Sequence, residues 1–331
     1  MKALVYTAPH RIELRELATP APAAGEVLLK VEAVGICGSD MHAYHGHDER
    51  RPAPLILGHE AAGVIAAGPR AGEGVVVNPL VTCGLCQACR SGRQHLCPDR
   101  QIISMPPRPG AFAEFVTIPE RNVIALPAGA DFAKAALAEP VAVAWHAVRI
   151  AGERFSEPLV TASALVLGAG AIGLASALVL HAFGARDIWI AEPNPLRRDT
   201  ARRSGPFQVY DPGSKPGPGA GSVALAIDAV GAAETRAAAS RLVAPGGVIV
   251  HVGLLPGAAG FDIRRITLQE ITVIGSYCYT PRDFEEVVAA LMADRFGPLS
   301  WIELRSLADG PAAFRAIDQG ETAAAKIVLR P

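Results

Sequence analysis

The sequence of 331 residues lacks an excess of charge of either sign: 31 Lys and Arg stand against 32 Asp and Glu, for a formal net charge of −1. Proteins that bind nucleic acid or anionic membranes through charge have a basic surface large enough to disturb such a balance. We therefore expect no nucleic-acid partner and no membrane partner, and a small-molecule substrate instead. A chain of this length is too long for one ordinary core, so about two domains are expected.

Charge is missing altogether from residues 158–185, a stretch long enough to cross a membrane. Its internal pattern points elsewhere, because Ser163–Leu167 is typical of a buried strand and residues 171–183 are rich in Ala and Leu, as a helix is. We therefore expect a strand, a turn and a helix in a soluble fold. Residues 1–13 are too few and too polar for a signal peptide, so the expected location is the cytoplasm.

Cysteine is scarce, and four of the six cysteines lie within residues 83–97. Their spacing, Cys-x2-Cys-x2-Cys-x7-Cys, places four thiolates close enough to surround a zinc ion completely. Two disulfides and a redox Cys-x2-Cys pair are weaker alternatives, since the spacing fits disulfide geometry poorly and nothing else indicates secretion. The sequence predicts a structural zinc in a lobe of about residues 78–100, bound by Cys83, Cys86, Cys89 and Cys97.

A glycine-rich turn follows the predicted strand at 163–167. Its Gly-x-Gly-x-x-Gly spacing permits a tight turn, a close approach of the backbone to a pyrophosphate, and close packing of helix against strand. A second predicted strand, Asp187–Ala191, ends where a carboxylate can bind an adenosine ribose. The alternative is a glycine-rich turn of any α/β protein. The predicted dinucleotide-binding residues are Gly168, Gly170, Ala171, Ile172, Gly173 and Glu192.

The alternation of strand and helix continues beyond this turn, with predicted strands at 224–228 and 248–252 and a helix at 233–242. Such alternation is typical of a doubly wound parallel sheet. The first 150 residues differ, because short alternating segments such as residues 26–32 are separated by Pro and Gly. They indicate an antiparallel β domain, so the predicted fold class is α/β with two unlike domains.

The antiparallel part contains a second, scattered set of groups that can bind a metal. One thiolate, one imidazole and two carboxylates form the mixed set that a catalytic zinc requires, since one coordination position must stay open for substrate or water. Each residue alone also has an ordinary explanation: a buried cysteine, a hydrogen-bonded histidine or a solvated carboxylate. The residues are Cys37, His59, Glu60 and Glu139.

Several motifs occur in an order that resembles the zinc-dependent medium-chain dehydrogenase/reductase family, in particular its sorbitol and threonine dehydrogenase branch. They are Cys37-Gly-Ser-Asp-Met-His42, Gly58-His-Glu-Ala-Ala-Gly63, Asn78-Pro79, the four-cysteine segment and the glycine-rich turn. The resemblance covers essentially the whole chain. It implies a GroES-like antiparallel β catalytic domain at 1–150, a Rossmann domain at 151–282, and a segment at 283–331 that returns to the catalytic domain.

By this resemblance, Cys37, His59 and Glu60 are similar to the protein ligands of a catalytic zinc. Glu139 stands where alcohol dehydrogenases of the family have a second cysteine, and carboxylate at that position is typical of the polyol branch. Asp40 resembles the residue that orients the zinc-binding histidine by hydrogen bonding.

The resemblance also implies a reaction. Zinc beside a nicotinamide acidifies an alcohol and makes hydride transfer feasible. Ser39 and His42 resemble the pair that passes the substrate proton to solvent, the alternatives being a turn serine and a surface histidine. We expect hydride transfer between NAD(P) and a secondary alcohol, polyol, amino alcohol or hydroxy acid, with two zinc ions per chain in a homodimer or homotetramer.

The choice of cofactor depends on Glu192, whose carboxylate accepts ribose hydroxyls and repels a 2′-phosphate, so NAD is expected. Arg197 and Arg198 lie a turn further on, where basic residues either clamp that phosphate or are solvated, and NADP therefore stays an alternative.

The substrate is the least defined feature. Sorbitol dehydrogenases have an aromatic residue directly after the first motif, where this chain has Ala43, and the arginine expected near residues 275–279 is missing. Arg50 and Arg51 could bind a carboxylate or phosphate of the substrate, or lie in a solvated loop. Two other classes of function remain: a zinc-independent quinone or enoyl reductase, and a non-catalytic nucleotide-binding protein. The intact set of Cys37, His59 and Glu60 disfavours the first, and the retention of Ser39 and His42 disfavours the second.

Overall fold

We describe the protein from a computed structural model, which covers residues 1–155, 158–214 and 217–331. Ser156, Glu157, Lys215 and Pro216 lie outside these residues, the last two within the segment 211–222 for which the sequence predicts a surface loop. Within them the strands are β1 (Lys2–Ala8), β2 (Arg11–Glu16), β3 (Glu26–Gly35), β4 (Leu55–Ile56), β5 (Glu60–Ile65), β6 (Gly74–Val77), β7 (Leu80–Val81), β8 (Gln101–Ile102), β9 (Phe115–Pro119), β10 (Val123–Ala125), β11 (Ser163–Leu167), β12 (Asp187–Ala191), β13 (Gln208–Tyr210), β14 (Val223–Asp228), β15 (Val243–His251), β16 (Thr272–Gly275), β17 (Ile302–Ser306) and β18 (Lys326–Arg330).

The α-helices range from a single turn to four turns. They are α1 (Gly38–Tyr44), α2 (Gln87–Arg90), α3 (Phe132–Ala135), α4 (Ala138–Gly152), α5 (Ala171–Ala182), α6 (Pro195–Ser204), α7 (Ala233–Leu242), α8 (Ile263–Leu268), α9 (Pro281–Met292) and α10 (Gly310–Asp318). In the described part of the chain, none of them has both the length and the apolar composition that crossing a bilayer requires.

The N-terminal strands form a largely antiparallel sheet in the order β10-β6-β5-β3-β18-β17, with β9 also paired to β3. The two strands from the C-terminal end of the chain, β17 and β18, are parallel to each other, and β18 pairs antiparallel to β3. A smaller sheet, β2-β1-β4, packs its apolar side chains into the same core. The sheet that carries the predicted metal ligands is therefore built from both ends of the chain.

The middle of the chain forms a parallel sheet of order β13-β12-β11-β14-β15-β16, which is the doubly wound arrangement. The predicted fold class is confirmed. The predicted strands at 163–167 and 187–191 have the observed bounds, whereas β15 begins at Val243 rather than at residue 248. The difference arises because Val243 already pairs with Val223, and the register then shifts across the Pro-Gly-Gly segment.

Helix α1 was not predicted, since Cys37 to His42 contains no apolar period typical of a helix. The helix begins after its N-cap Cys37, and Asp40, at the third helical position, stabilises this start by accepting the backbone N–H of Cys37 at 2.9 Å. Such a reciprocal cap satisfies backbone groups that the first helical turn leaves without partners. The motif therefore forms a short helix whose side chains Ser39 and His42 project from a fixed frame.

Helix α4 joins the two parts of the molecule. Most of its residues are buried, and it packs against α5 and α9 in the larger apolar core. Its contact with α9 is also polar, because Asp283 at the start of α9 accepts His146 Nδ1 at 2.8 Å and Arg149 Nε at 2.7 Å. Burial opposes ionisation, yet the hydrogen bonds from His146, Arg149 and Thr280 hold the pKa of Asp283 well below its usual range.

We expect Asp283→Ala to lower the free energy of unfolding by about 3 kcal/mol, because it leaves polar groups of α4 without partners in a buried contact. Glu153→Ala is the matched control: Glu153 also pairs with Arg149, but its side chain is 57% exposed, so a change within about 0.5 kcal/mol is expected. Urea unfolding of the three proteins measures both effects.

The difference between parent and Asp283→Ala should depend on pH. A folded pKa below the unfolded value of about 3.9 stabilises the folded state fully above that pH, and the contribution is lost as the pH falls towards the folded pKa. The difference should therefore be constant from about pH 5 to pH 7 and shrink below about pH 4. A difference that is equally large at pH 3 would contradict this account.

Candidate active site

Asp40 links helix α1 to the segment that carries two of the predicted metal ligands. Its carboxylate is fully buried, accepts the backbone N–H of Gly58 at 3.3 Å, and lies 3.6 Å from Nδ1 of His59. Burial opposes ionisation of Asp40, but His59, Arg51 and the N–H of Cys37 keep its pKa below the usual range. Asp40 therefore lies beside Nδ1 of His59, and its expected role in orienting the ring so that Nε2 binds a metal stays a prediction.

The structure brings three of the four predicted ligands of the catalytic zinc together. One ligand atom each of Cys37, His59 and Glu60 lie within 4.8 Å of one another. Glu60 is fully buried; its Oε1 accepts Lys326 Nζ at 2.6 Å, whereas its Oε2 is buried without a hydrogen-bond partner. An orphaned carboxylate oxygen beside a thiol and an imidazole is the donor set that Zn²⁺ prefers, so these residues fit a zinc ion.

The electrostatic field at this cluster favours a cation. Burial alone would lower the pKa of His59, but the negative charges of Asp40 and Cys37 raise it well above its usual range. The same field that favours a proton on His59 favours a divalent metal in its place.

Glu139, the fourth predicted ligand, is not part of this close group. Its Oε1 accepts the hydroxyl of the fully buried Tyr279 at 3.1 Å, and its side chain lines the same cavity. Burial raises the pKa of Glu139 to about 7, with Glu60 acting in the same direction and His59 opposing. Glu139 is therefore held beside the cluster, and its direct ligation of zinc stays a prediction.

The four remaining predicted ligands form a second, separate cluster. Sγ of Cys83 lies 3.5 Å from Sγ of Cys97 and 3.9 Å from Sγ of Cys89. Four sulfurs around one zinc at about 2.3 Å are separated by roughly 3.8 Å, so these distances fit a closed tetrahedral site. Backbone N–H groups of Leu85 and Cys86 lower the pKa of Cys83 to about 6, which favours the thiolate that a metal binds.

A cavity of about 230 Å³ connects the mixed-ligand cluster to the predicted dinucleotide site. Cys37 and His59 line it from the GroES-like side, together with Ser39 and His42. The parallel sheet contributes Ile172, from the first turn of α5, and the loops after β14 and β15. A molecule in this cavity therefore contacts both the metal-binding cluster and the end of the dinucleotide turn.

Ser39 and His42 have surroundings suited to proton transfer. The backbone carbonyl and Oγ of Ser39 accept the buried guanidinium of Arg51 at 3.3 and 3.4 Å. Burial lowers the pKa of His42, although Asp48 opposes the shift, so His42 is a neutral imidazole near pH 7 that can accept a proton.

The glycine-rich turn is as tight as its sequence predicts. Gly168 has φ of +92°, and a Cβ on Gly173 would lie 1.9 Å from the carbonyl oxygen of Gly168. Gly170 caps α5, and a Cβ there would meet nothing within 4 Å, so the space above the turn is open. The N-terminus of α5 is therefore free to bind a pyrophosphate, with the N–H groups of Ala171 and Ile172 at its start.

Glu192 is buried at the end of β12, and its two oxygens accept the backbone N–H groups of Ala169 and Asn194, each at 2.8 Å. It therefore fixes the glycine-rich turn, and its predicted binding of a cofactor ribose stays a prediction. Arg198 donates to the carbonyl oxygen of Glu192 at 2.9 Å, whereas Nε of Arg197 is buried without a partner.

Sequence reasoning missed three residues that hold the site. Lys326 donates to Glu60 and, at 2.8 Å, to the carbonyl oxygen of Ile36. Tyr279 donates to Glu139, and Ser104 Oγ lies 3.3 Å from Nδ1 of His59. Of the three, only Lys326 could have been noticed in the sequence, because it is a cation at the start of the apolar strand β18.

Comparisons with known proteins agree with this geometry. Residues 23–128 match the profile of the alcohol dehydrogenase GroES-like domain, and residues 171–294 match that of the zinc-binding dehydrogenases. The chain is 35% identical to L-galactonate-5-dehydrogenase of Escherichia coli K12 over 308 residues, which cover 89% of this chain and 88% of the relative. It is 33% identical to L-threonine 3-dehydrogenase of Pyrococcus abyssi over 296 residues, or 83% and 82% of the two chains.

A solved structure supports the same assignment. Acetophenone reductase from Geotrichum candidum, in complex with NAD, superimposes with a TM-score of 0.88 at 26% identity, over 100% of this chain and 97% of that one. The predicted family, the class of reaction, and the zinc and NAD(P) cofactors are thereby confirmed. The chain belongs to the zinc-dependent medium-chain dehydrogenase family and is an oxidoreductase that acts on CH–OH groups.

Proposed function

We propose that this dehydrogenase oxidises a secondary hydroxyl group of a polyol, an amino alcohol or a hydroxy acid with NAD⁺ as the hydride acceptor. The observation that carries the proposal is the mixed-ligand cluster with its orphaned Glu60 oxygen, close to the cavity that also reaches the dinucleotide turn. The two relatives compared above act, by their names, on galactonate and threonine, which are hydroxylated acids.

Within this proposal, Cys37, His59 and Glu60 hold the catalytic zinc, and Asp40 orients His59. When bound, zinc supplies a Lewis acid that lowers the pKa of an alcohol. Ser39 accepts the hydroxyl proton and His42 passes it to solvent. Arg51 keeps Ser39 in place through its contacts with the serine backbone and hydroxyl.

We propose that Glu139 ligates zinc only when the hydrogen bond that it accepts from Tyr279 is broken. The thiolates of Cys83, Cys86, Cys89 and Cys97 hold a structural zinc whose role is to fold the lobe. A cytoplasmic location is part of the proposal, since four thiols poised around one metal need a reducing compartment. Nucleic acid and membrane partners are not expected, given the balanced charge.

We also propose a homo-oligomer, a dimer or tetramer, in which the edge strand β16 is covered. Apolar side chains are exposed on and near this edge: Val273 at 40%, Ile263 at 65% and Leu268 at 67%. An exposed edge strand with apolar side chains is a template for pairing with a second chain. Sedimentation at micromolar concentration should show an oligomer that Val273→Lys dissociates, and a monomeric parent would contradict the proposal.

Two zinc ions per chain are expected in metal analysis of freshly purified protein. Cys86→Ser should lose the structural ion and lower Tm by about 6 °C or more, because metal binding and folding are coupled. Cys37→Ser should lose the other ion and abolish turnover, yet leave Tm nearly unchanged.

Cys278→Ser is the matched control, since this thiol lines the cavity but belongs to neither cluster. It should retain two zinc ions. One zinc or none in the parent would contradict the prediction and favour a zinc-independent reductase.

The preference for NAD should depend on the charge of Glu192. A carboxylate beside a 2′-phosphate costs about 2 kcal/mol at an effective dielectric near 20, which corresponds to more than a tenfold preference for NAD. Glu192→Ala should lower kcat/KM for NAD⁺ and raise the ratio of kcat/KM for NADP⁺ to kcat/KM for NAD⁺. Arg197 is then free to bind the 2′-phosphate.

Glu192→Gln separates charge from structure, because the amide still accepts one backbone N–H but has no charge. Both variants should raise the ratio of kcat/KM for NADP⁺ to kcat/KM for NAD⁺. A parent that prefers NADP⁺, or a ratio that neither substitution moves, would show that Glu192 does not select the cofactor.

A further inference from the structure

Two arginines in the loop after α1, Arg50 and Arg51, are bound by one carboxylate, that of Asp48. Asp48 Oδ1 accepts Arg50 Nε at 2.8 Å, and Oδ2 accepts Arg50 Nη2 at 3.0 Å and Arg51 Nη1 at 2.7 Å. Two guanidinium groups therefore share one carboxylate. This hydrogen-bonded group has a net charge of +1, and Glu49, the other charged residue of the loop, is exposed to solvent.

The two arginines have different amounts of hydrogen-bonding capacity left. Arg51 is 3% exposed and donates to the carbonyl oxygens of Ser104 and Ser39 as well as to Asp48. The side chain of Arg50 is 56% exposed, and its hydrogen bonds to other side chains all go to Asp48. Arg50 is therefore held in one orientation by Asp48 and still has N–H groups directed away from it.

Arg50 lines the same cavity as Cys37 and His59, whereas Asp48 does not. Among the described residues that line this cavity, Glu139 is the one carboxylate, and one of its oxygens accepts a hydrogen bond from Tyr279. A second cation stands nearby, because the guanidinium of Arg100 lies 5.0 Å from the ring centroid of Tyr277, another residue of the cavity wall. One guanidinium, that of Arg50, is therefore in the cavity wall, and a second, that of Arg100, packs against a residue of the wall.

We propose that Arg50 binds a carboxylate of the substrate, so that the enzyme acts on a secondary hydroxyl group of a hydroxy acid in preference to a neutral polyol. This inference rests on the proposed function and narrows its substrate class. A guanidinium matches the planar geometry of a carboxylate, and the net charge of +1 compensates a monoanion but only half of a phosphate dianion. The carboxylate takes no part in the chemistry: hydride passes from the carbinol carbon to the nicotinamide, and the hydroxyl proton passes to solvent.

The test uses pairs of substrates that differ only in one terminal group. Galactonate and galactitol, and 3-hydroxybutyrate and butane-1,3-diol, each exchange a carboxylate for a CH₂OH group while keeping a secondary hydroxyl. The parent should show a higher kcat/KM for the acid of at least one pair, by about tenfold or more. Arg50→Gln should lower that value by about 10- to 100-fold, mainly through KM, and change the value for the neutral partner by less than about threefold.

Arg282→Gln is the control, because this arginine is 86% exposed on α9 and is not part of the cavity wall. It should leave all the values unchanged. Equal activity of the parent on acid and alcohol, or an equal loss of both in Arg50→Gln, would overturn the proposal and leave the dehydrogenase assignment intact.

A binding measurement separates this proposal from the proposed function. Butyrate, which has the carboxylate but no hydroxyl group, should raise Tm of the parent in the presence of NADH and inhibit competitively, while Arg50→Gln should respond to neither. Absence of turnover on every alcohol with both NAD⁺ and NADP⁺ would sink the proposed function. If butyrate neither raises Tm of the parent nor inhibits it, the proposed role of Arg50 is wrong, regardless of the turnover measurements.

Discussion

A buried ion pair between Glu60 and Lys326 ties the active site to the far end of the chain. The two residues are 266 positions apart, and both side chains are at most 1% exposed. A buried carboxylate would be costly without a cation, and the ammonium would be equally costly without the carboxylate. The pairing of β18 with β3 places Lys326 beside Glu60, so the C-terminal strand is a necessary part of the metal-binding cluster.

The same interaction explains why Glu60 is fixed in position and still has one oxygen for a metal. One oxygen is used by Lys326, and the other is buried without a partner. The ammonium of Lys326 compensates the carboxylate in the interior, while the unused oxygen keeps a metal-binding position. Glu139 differs, because in the described part of the chain its side chain pairs with no cation and accepts instead the hydroxyl of Tyr279. The two carboxylates of the site therefore have different roles, set by their neighbours.

The location of the cavity follows from how the two sheets end. Ligands of parallel sheets bind beyond the carboxyl ends of the strands, and here the turn after β11 and the loops after β14 and β15 meet helix α1 and the segment before β5. Asp228 strengthens this edge, since it accepts the backbone N–H groups of Val230 and Gly231 and fixes the loop that faces the cavity. A nicotinamide bound at the parallel sheet and a metal bound by the antiparallel domain can therefore occupy one cavity.

Local signals in the sequence determined a large part of this protein. The four-cysteine spacing, the glycine-rich turn and the strands on either side of it depend on near neighbours, so their period and spacing alone predicted them. Resemblance supplied the assignment of the mixed-ligand cluster and of Asp40, because those residues come from separate segments of the chain, around α1, at the start of β5 and in α4.

Only the tertiary structure decided the rest. Lys326 reaches Glu60 through strand pairing, Tyr279 reaches Glu139 through packing of the two domains, and the charge of Arg50 faces the cavity because Asp48 is shared with Arg51. No sequence pattern contains these contacts, since each joins residues that approach only after the loops have closed. The sequence thus determined which chemical groups the enzyme has, and the tertiary structure decided which of them are neutralised, which remain available, and what they face.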